Sequence, residues 1–279
     1  MSGILYLVGT PIGNLSDFSP RGEECLRTVD FIAAEDTRVT LKLMNRFDIH
    51  KPLVSYYEHN RMSSGEKIIA RLLAGENCAL VTDAGMPAIS DPGEDLVRLA
   101  AENKITVQTV PGPSACVTAL AVSGLPTQRF CFEGFLAVSG KNRSEHLQSL
   151  RNEKRTMIFY EAPHKLLKTL QDMLAVFGDR PIALCRELTK LHEEIYRGTF
   201  SGALTLYETT PPRGEYVLVV HGAVEMPASI QTNEEILAEI DGYRKGGMSL
   251  RQACKVVSEH TGISKNELYA AALAVEPKA

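Results

Sequence analysis

Cysteine is scarce in this chain and never occurs in a closely spaced pair. The 279 residues include six cysteines, and none of them forms a C-x-x-C motif. Structural zinc sites and the disulfide frameworks of small secreted proteins both depend on such spacing. We therefore expect reduced and mostly buried thiols, as in a cytoplasmic protein, and no metal site.

Long apolar runs and a large excess of either charge are missing as well. No stretch approaches the roughly 18–20 apolar residues of a membrane span. Residues 1–3 lead directly into a strand pattern, without a visible signal peptide. The formal net charge is −4 and 44% of the residues are hydrophobic. These values are typical of a soluble globular protein with room for about two domains, and they argue against a surface that is basic throughout.

Several motifs of familiar enzyme classes are absent too. The Gly-rich segment at 9–14 is not G-x-G-x-x-G and no Lys-Ser/Thr pair follows it, which disfavours dinucleotide and P-loop binding. The chain has no G-x-S-x-G motif, so a serine hydrolase is disfavoured. Its histidines lack the H-E-x-x-H spacing of zinc hydrolases.

Strand and helix patterns alternate along the first part of the chain. The predicted strands of this part lie at 4–8, 31–34, 53–56, 78–82 and 105–110. Because such alternation is typical of a largely parallel sheet, we assign an N-terminal α/β domain to residues 1–112. The later predicted strands lie at 130–136, 157–160, 182–185 and 216–220. They are separated by shorter helices, so we expect a mixed sheet in a second α/β domain over residues 113–224.

The last part of the chain is predicted to be helical. Residues 225–233 are typical of a linker, and helices are predicted at 250–260 and 264–274. The short turn between these helices contains a glycine and resembles a helix-turn-helix. A plain helical hairpin fits the same pattern, so a contact of this 225–279 region with nucleic acid stays open.

The segment T-D-A-G-M-P-A-I-S-D-P-G at 82–93 organises the prediction of a ligand site. It follows a buried strand and delivers Asp83 to the carboxyl edge of the sheet, where open α/β sheets bind ligands. Its second half is typical of a helix start, with Asp91 as the cap and Pro92 at the first helical position. Similar Gly- and Pro-rich loops follow the strands at 4–8 and 105–110.

Five segments in a fixed order carry a family resemblance. They are L-Y-L-V-G-T-P-I-G-N-L at 5–15, A-A-E-D-T-R at 33–38, the segment at 82–93, P-G-P-S-A at 111–115 and R-E-L-T-K at 186–190. Together they resemble the RsmI-type small-subunit rRNA 2′-O-methyltransferases of the tetrapyrrole methylase superfamily. The resemblance implies two α/β domains with a cofactor cleft between them, and a homodimer. It also implies S-adenosylmethionine-dependent methylation of a cytidine ribose in the decoding region of 16S rRNA.

The resemblance further implies which residues bind the cofactor. S-adenosyl-L-methionine would be held by Thr10, Pro11, Asp83, Gly85, Met86, Ser114, Ala115, Phe159, Tyr160 and Leu188. Methyl transfer depends mainly on positioning, because the donor carbon is already electrophilic, and proton removal is a smaller contribution. Loops and an occasional carboxylate meet this need.

A ribose hydroxyl is a weak acid, so a base or a cation beside it would accelerate the reaction by about 10²–10⁴-fold. The candidates at strand ends are Glu161, Glu187 and Lys190, with His164 as a further one. A lysine serves as a base only when its pKa is depressed. The group Glu35, Asp36 and Arg38 is either an ion-pair cluster or a wall of the acceptor site.

Residues 139–155 carry five Lys or Arg against two Glu. Such a stretch favours contact with RNA phosphates, and we predict that the RNA is bound by Arg38, Lys141, Arg143, Arg151, Lys154 and Arg155. Two alternatives remain: a tetrapyrrole C-methyltransferase with the same cofactor cleft, and a non-enzymatic helix-turn-helix regulator with a ligand-binding domain. The basic stretch disfavours the first alternative. The second would need a more basic recognition helix than 264–274, where Lys265 is the one cation.

Overall fold

The computed structural model describes residues 2–138, 140–224, 233–261 and 263–275. These residues form two compact units, which divide between Ala223 and Val224. The first unit contains two five-stranded sheets and the second is helical. The predicted domain boundaries at 112 and 224 remain a prediction, although residue 112 does lie between the last strand of the first sheet and the next helix.

The first sheet is entirely parallel, as the β–α alternation predicts. Its strands are β1 (Ile4–Val8), β2 (Phe31–Ala34), β3 (Leu53–Ser55), β4 (Cys78–Val81) and β5 (Thr106–Val110). They are ordered β3-β2-β4-β1-β5, which places β4 at the centre. Every residue of β2 and β4 is buried, because helices cover both faces of the sheet.

Four helices cover this sheet, two on each face. They are α1 (Pro20–Thr28), α2 (Thr37–Arg46), α3 (Arg61–Leu73) and α4 (Glu94–Glu102), with a short 3-10 turn at Leu15–Asp17. Apolar side chains of α1 and α2 pack on one face, and those of α3 and α4 pack on the other. Helix α1 begins with a side-chain cap: the Ser19 hydroxyl accepts a hydrogen bond from the Gly22 amide at 3.0 Å, and Pro20 is the first helical residue.

The predicted start of α4 is wrong, both for Asp91 as the cap and for Pro92 as the first helical residue. The helix begins at Glu94 after Gly93, and no side chain caps it, so Asp91 is not the cap. The preceding loop instead passes through left-handed backbone conformations at Ala88 and Ser90, with φ of 68° and 63°. Such conformations cost about 1–3 kcal/mol each for residues other than glycine. The loop therefore follows tertiary contacts rather than the local capping signal.

The second sheet is mixed, as predicted. Its strands are β6 (Phe130–Phe135), β7 (Thr156–Glu161), β8 (Pro181–Arg186), β9 (Glu194–Thr199) and β10 (Tyr216–Val220), in the order β6-β7-β10-β8-β9. Strands β6 and β7 are parallel and the other neighbours are antiparallel. The sequence analysis did not predict β9, an edge strand whose polar residues lack a clear apolar alternation.

The helices of this second half lie on both faces of the mixed sheet. They are α5 (Ala115–Ser123), α6 (Gly140–Ser149), α7 (Pro163–Phe177) and α8 (Phe200–Thr209). Helix α5 packs on one face, and α6, α7 and α8 pack on the other. Helix α5 buries Cys116, Ala119 and Leu120 against the sheet, whereas Val117 on its other side is 56% exposed.

The second unit is a three-helix bundle with a core of its own. It consists of α9 (Asn233–Lys245), α10 (Leu250–Thr261) and α11 (Lys265–Val275). The two predicted helices are confirmed, whereas α9 was not predicted and supplies Ile236 and Ile240 to the core. Most of the predicted linker, and Gly262 in the predicted turn, lie outside the described residues.

Buried thiols and the lack of apolar spans agree with the sequence. All six cysteines are free, and five of them are buried. Within the ranges that the structure describes, no helix is long and apolar enough to cross a membrane.

Candidate functional site

A cleft of about 600 Å³ opens between the two sheets of the first unit. The first half of the chain contributes Ile12, Glu35, Asp83, Ala84, Gly85, Met86, Ile89, Ser90 and Asp91 to its walls. The part of the chain that follows β5 contributes Ser114, Ala115, Phe135, Tyr160, Glu161, Ala162, Pro163, His164, Glu215, Tyr216 and Val217. The cleft therefore lies at the carboxyl edge of the parallel sheet, where the sequence analysis expected a ligand.

Three glycine-containing loops build the floor of the cleft by close backbone packing. Thr10 and Gly85 exchange two backbone hydrogen bonds of 2.9 and 3.2 Å, which join the loops after β1 and β4. A Cβ atom on Gly9 would lie 2.7 Å from the Cα atom of Gly112 in the loop after β5. This contact leaves no room for a side chain at either position, so glycine is required there.

Carboxylates gather on the wall formed by the first sheet. The Thr82 hydroxyl donates a hydrogen bond of 2.6 Å to Glu35, and the Asp36 amide donates one of 3.1 Å to Asp83. Burial raises the pKa of Asp83, and the charges of Glu35 and Asp36 raise it further. Burial also raises the pKa of Asp91 to about 6, with added repulsion from Glu35 and Asp83. This wall would therefore attract a cationic ligand.

Aromatic side chains form part of the wall opposite. The Tyr160 ring packs against the rings of Phe132 and Phe135, with centroids 4.9 and 5.6 Å apart. The Tyr160 hydroxyl accepts a hydrogen bond of 3.1 Å from the Cys116 amide at the start of α5. Burial raises the pKa of Tyr160 to about 12, so the phenol stays neutral. These contacts fix the ring of Tyr160 at the cleft.

Glu161 is the buried carboxylate of this second wall, with only 4% of the residue exposed. Its Oε1 atom accepts a hydrogen bond of 2.9 Å from the Ala162 amide, and its Oε2 atom accepts one from the Thr169 hydroxyl. Thr169 in turn accepts a hydrogen bond of 2.9 Å from Arg143. The network holds the Glu161 carboxylate in one orientation beside the cleft.

The same network corrects the prediction for Arg143, which was assigned to the RNA surface. Arg143 is 5% exposed, and its guanidinium also contacts Asp172 at 2.9 Å and the Ala137 carbonyl at 3.0 Å. A guanidinium that is buried and engaged in this way is not available to a phosphate.

Lys190 lies between two carboxylates at the end of β8. Its Nζ atom is 2.9 Å from Glu187 and 2.8 Å from Glu215, and of these three residues Glu215 lines the cleft. Burial lowers the pKa of Lys190, but its hydrogen bonds to Glu215 and Glu187 outweigh burial and raise the pKa overall. Lys190 therefore stays cationic, which disfavours it as a base, and its alternative role as a cation beside the acceptor hydroxyl stays a prediction.

Glu187 is fixed by the same contacts. Burial raises its pKa, but the hydrogen bonds from Lys190 and from the Glu215 amide outweigh burial and lower the pKa overall. The Glu187 carboxylate is thus an ionised partner of Lys190, and Glu161 and His164 are the predicted candidates that belong to the lining of the cleft.

The structure brings most of the predicted cofactor residues together. The cleft is lined by Asp83, Gly85, Met86, Ser114, Ala115 and Tyr160. Thr10 is buried beneath Gly85, and Pro11 stands between Thr10 and the lining residue Ile12. Leu188 is buried in the apolar cluster around α5.

Phe159, like Leu188, does not belong to the lining of the cleft. Side chains of a strand alternate between its faces, so Phe159 points away from the face that carries Tyr160. Its ring is fully buried in the core beneath α6, α7 and α8. The assignment of the Phe159 side chain to the cofactor pocket is therefore wrong.

Sequence reasoning missed Asp91 as a cleft residue. Its position before Pro92 is typical of a helix cap, and the local pattern outweighed any other signal. The left-handed turn before it, which the sequence does not mark with glycine at Ala88 or Ser90, directs the chain back to the cleft.

Most of the other predicted RNA-binding cations lie at the surface. Lys141 is 83% exposed at its side chain and lies 3.5 Å from Glu145, and Arg38 is 87% exposed and pairs with Asp36. Arg155 makes two hydrogen bonds to Glu153, at 2.9 and 2.7 Å. The remaining two, Arg151 and Lys154, are exposed residues.

Within the described ranges, no group of three or more potential ligands could hold a metal ion.

Comparison with known proteins identifies relatives over almost the whole chain. Residues 4–203 match the family described as tetrapyrrole (corrin/porphyrin) methylases, and residues 245–276 match the family described as the RsmI C-terminal HTH domain. A protein of Synechocystis sp. named ribosomal RNA small subunit methyltransferase I is 46% identical over 98% of this chain and 99% of its own length. A Bacillus subtilis protein of the same name is 45% identical over 96% and 93%.

A shorter relative of the same name occurs in Thermotoga maritima. It is 49% identical over 220 residues, which represent 79% of this chain and 99% of the relative. A length of this size corresponds to the first compact unit alone.

Solved structures share the fold at low sequence identity. A cobalt precorrin-4 methyltransferase aligns with a TM-score of 0.59 at 18% identity, over 78% of this chain and 94% of that one. A diphthine synthase aligns with a TM-score of 0.59 at 15% identity, over 79% and 90%. These similarities concern the arrangement of the two sheets and their helices.

Proposed function

The chain belongs to the tetrapyrrole methylase family, within the group of ribosomal RNA small subunit methyltransferase I, and from this premise we propose its substrate and chemistry. It is an S-adenosylmethionine-dependent methyltransferase of small-subunit rRNA, and we propose that the acceptor is the 2′-oxygen of a cytidine ribose in the decoding region of 16S rRNA. The observation that carries the proposal is the match to curated relatives over nearly the full length of both chains, C-terminal unit included.

The cleft fits the charge of the cofactor. S-adenosyl-L-methionine, when bound, supplies a methyl group on a cationic sulfonium that makes the carbon electrophilic. Burial raises the pKa values of Asp83 and Asp91, and the charges of neighbouring carboxylates raise them further, so a cation beside this wall would stabilise the ionised carboxylates. We propose that Asp83, Gly85, Met86, Ser114, Ala115 and Tyr160 hold this ligand.

Loop packing orients the ligand and excludes water. The backbone bridge between Thr10 and Gly85 fixes the loop that carries Met86, and the phenol of Tyr160 fixes the start of α5 from the other wall. Rigid walls of this kind favour methyl transfer because they restrict the two reactants to an in-line arrangement.

We propose that Glu161 receives the proton of the acceptor hydroxyl. Glu161 is one of the residues that line the cleft on the wall opposite the acidic cluster, and each of its carboxylate oxygens retains a lone pair beside its hydrogen bond. Lys190 does not compete for this role because it stays protonated.

We further propose that the enzyme acts as a homodimer in the cytoplasm, on rRNA or the small ribosomal subunit. The exposed cations Lys141, Arg151, Lys154 and Arg155 would neutralise phosphates of the RNA, and the helical second unit would add affinity.

The class of acceptor is tested by transfer of a labelled methyl group. The protein is incubated with labelled S-adenosylmethionine and, in separate reactions, 16S rRNA, small ribosomal subunits or a tetrapyrrole. Label in the RNA-containing reactions supports the proposal. Label that passes only to the tetrapyrrole would contradict it.

A further inference from the structure

Two large apolar side chains are exposed to solvent at the mouth of the cleft. Phe135 is 59% exposed and Ile89 is 50% exposed, and both line the cleft. They come from the two halves of the first unit, Phe135 from the end of β6 and Ile89 from the loop before α4. Each is held in place by an irregularity of the backbone.

A β-bulge directs Phe135 to the cleft. In regular strand geometry Phe132 and Phe135, three residues apart, would point to opposite faces. The register of β6 shifts between Phe132 and Gly134. Phe132 pairs with Ile158, and Phe135, three residues later in β6, pairs with Tyr160, two residues later in β7. The bulge thus places both phenylalanine rings against Tyr160. Bulges often re-aim a side chain in this way beside active sites.

A left-handed turn places Ile89 at the same mouth. Its neighbours Ala88 and Ser90 both have positive φ, which is unfavourable for residues with a side chain. Ser90 also approaches the bulge, since a Cβ atom on Gly134 would lie 3.4 Å from the Ser90 hydroxyl oxygen. The turn and the bulge therefore meet, and the two apolar side chains flank the entrance from adjoining segments.

The proposed function defines what passes this entrance. A ribose that reaches the cleft with its 2′-oxygen carries its base on the neighbouring carbon, so the base must lie at the mouth. Proteins that act on a single nucleotide unstack its base, and they hold such bases on aromatic and apolar side chains. A flat aromatic ring beside an aliphatic side chain matches the faces of a pyrimidine.

We propose that Phe135 and Ile89 form a docking site for the base of the target nucleotide, with the base stacked on the Phe135 ring. This inference rests on the proposed function, because it assumes that a nucleotide is the acceptor. The residues act as a binding site for RNA and not in cofactor binding.

The test is a double-mutant cycle between the protein and the RNA. The Phe135→Ala variant and the unaltered protein are compared on an rRNA fragment with the target cytidine and on a fragment that lacks only that base and keeps its 2′-hydroxyl. Stacking on an aromatic side chain corresponds to about 5- to 150-fold in affinity. We expect a loss of this size in RNA binding and in methylation on the complete fragment, and little loss on the abasic fragment.

Phe130→Ala provides the matched control. Phe130 is the first residue of the same strand, at the end away from the bulge, and it is 41% exposed. This variant should bind both RNA fragments as the unaltered protein does. Calorimetric titration with S-adenosylmethionine should give the same affinity for Phe130→Ala as for the unaltered protein, and for Phe135→Ala it measures how far loss of the ring disturbs the neighbouring Tyr160.

Three outcomes would overturn the inference. An equal loss on both fragments would mean that Phe135 supports the fold or contacts the RNA backbone. Dissociation of a dimer by Phe135→Ala, seen by sedimentation, would mean that a second copy of the chain covers the ring. If the unaltered protein methylates no rRNA, the proposed function fails together with the inference. If it methylates rRNA but the effects of the protein change and the RNA change are additive, only the inference fails.

Discussion

The hydroxyl of Thr82 donates a hydrogen bond of 2.6 Å to the carboxylate of Glu35, and this bond ties the ends of two neighbouring strands together at the cleft. Thr82 follows β4 and Glu35 follows β2. The bond keeps one carboxylate of the acidic wall in place, close to the charges of Asp83 and Asp91. Several predictions about charge, stability and RNA binding depend on this wall and on the surfaces around it.

Replacement of Asp83 by Asn should weaken cofactor binding without loss of the fold. The substitution removes a charge beside a cationic ligand, and hydrogen bonds of charged groups contribute about 1.5–3 kcal/mol, equivalent to about 10- to 150-fold in affinity. Calorimetric titration with S-adenosylmethionine measures the effect. Asp48→Asn, at a side chain that is 89% exposed, serves as the control. Unchanged affinity in Asp83→Asn would remove its proposed role.

Replacement of Asp91 by Asn should raise the melting temperature of the cofactor-free protein at pH 8. A carboxyl whose pKa is raised by folding stabilises the protein below its unfolded pKa of about 3.9 and loses this contribution as the pH rises through about 6. The wild type therefore bears the cost of a buried charge at pH 8, and the variant does not. Thermal unfolding at pH 4 and pH 8 should show a gain that is confined to the higher pH. A gain of the same size at both values would contradict the raised pKa.

Replacement of Arg143 by Gln should destabilise the protein by about 2–3 kcal/mol. The change removes the guanidinium from the buried Thr169 and from Asp172, which keeps Lys168 at 4.0 Å. Lys141→Gln, on the same helix but at the surface, should change the free energy of unfolding by less than about 1 kcal/mol. Denaturant titration separates the two. Equal stability of both variants would indicate that Arg143 lies at the surface and not in a buried network.

The exposed cations near α6 should govern the salt dependence of RNA binding. Each phosphate contact releases counterions, so the logarithm of the affinity falls with the logarithm of the salt concentration by about 0.7 per contact for single strands. We expect a flatter slope when Lys141, Arg151, Lys154 and Arg155 are all replaced by Gln. Filter binding at several salt concentrations measures the slope. A variant with the wild-type slope would place the RNA on another surface.

A chain that ends at Ala223 should bind the cofactor normally and rRNA more weakly. The first unit contains the whole cleft, and the second has a separate apolar core. The Thermotoga maritima relative has the length of the first unit alone, in agreement with a first unit that folds independently. Calorimetry with the cofactor and binding assays with rRNA test the two halves of the prediction. Full activity on rRNA would exclude the second unit as an RNA contact, and loss of cofactor binding would make it part of the core.

The buried strands could be predicted well from the sequence because each of them is marked by a short run of apolar residues. The bounds of β1, β2 and β10 agree with the predicted strands to the residue. Strand β9 escaped prediction since its polar residues pair at an edge, where burial imposes little pattern. Helix α9 escaped because it follows the predicted linker directly and its burial depends on contacts with α10 and α11.

The cleft was harder to predict than the strands because side-chain direction depends on tertiary structure. The family motifs brought Asp83, Met86 and Ser114 to the same cleft, as expected. Sequence alone did not show that Phe159 and Tyr160 face opposite sides of β7, or that α6 turns Arg143 inward. The bulge before Phe135 is marked in the sequence only by a glycine.

The most direct measurement of the central claim is alkaline hydrolysis of rRNA that the protein has methylated. Alkaline cleavage uses the free 2′-hydroxyl as the internal nucleophile, so a 2′-O-methyl group protects the bond on its 3′ side. After treatment with the protein and S-adenosylmethionine, we expect one new protected position, at a cytidine of the decoding region. Methyl label in the rRNA without any protected bond would mean methylation of a base, and it would contradict ribose methylation as the activity of this enzyme.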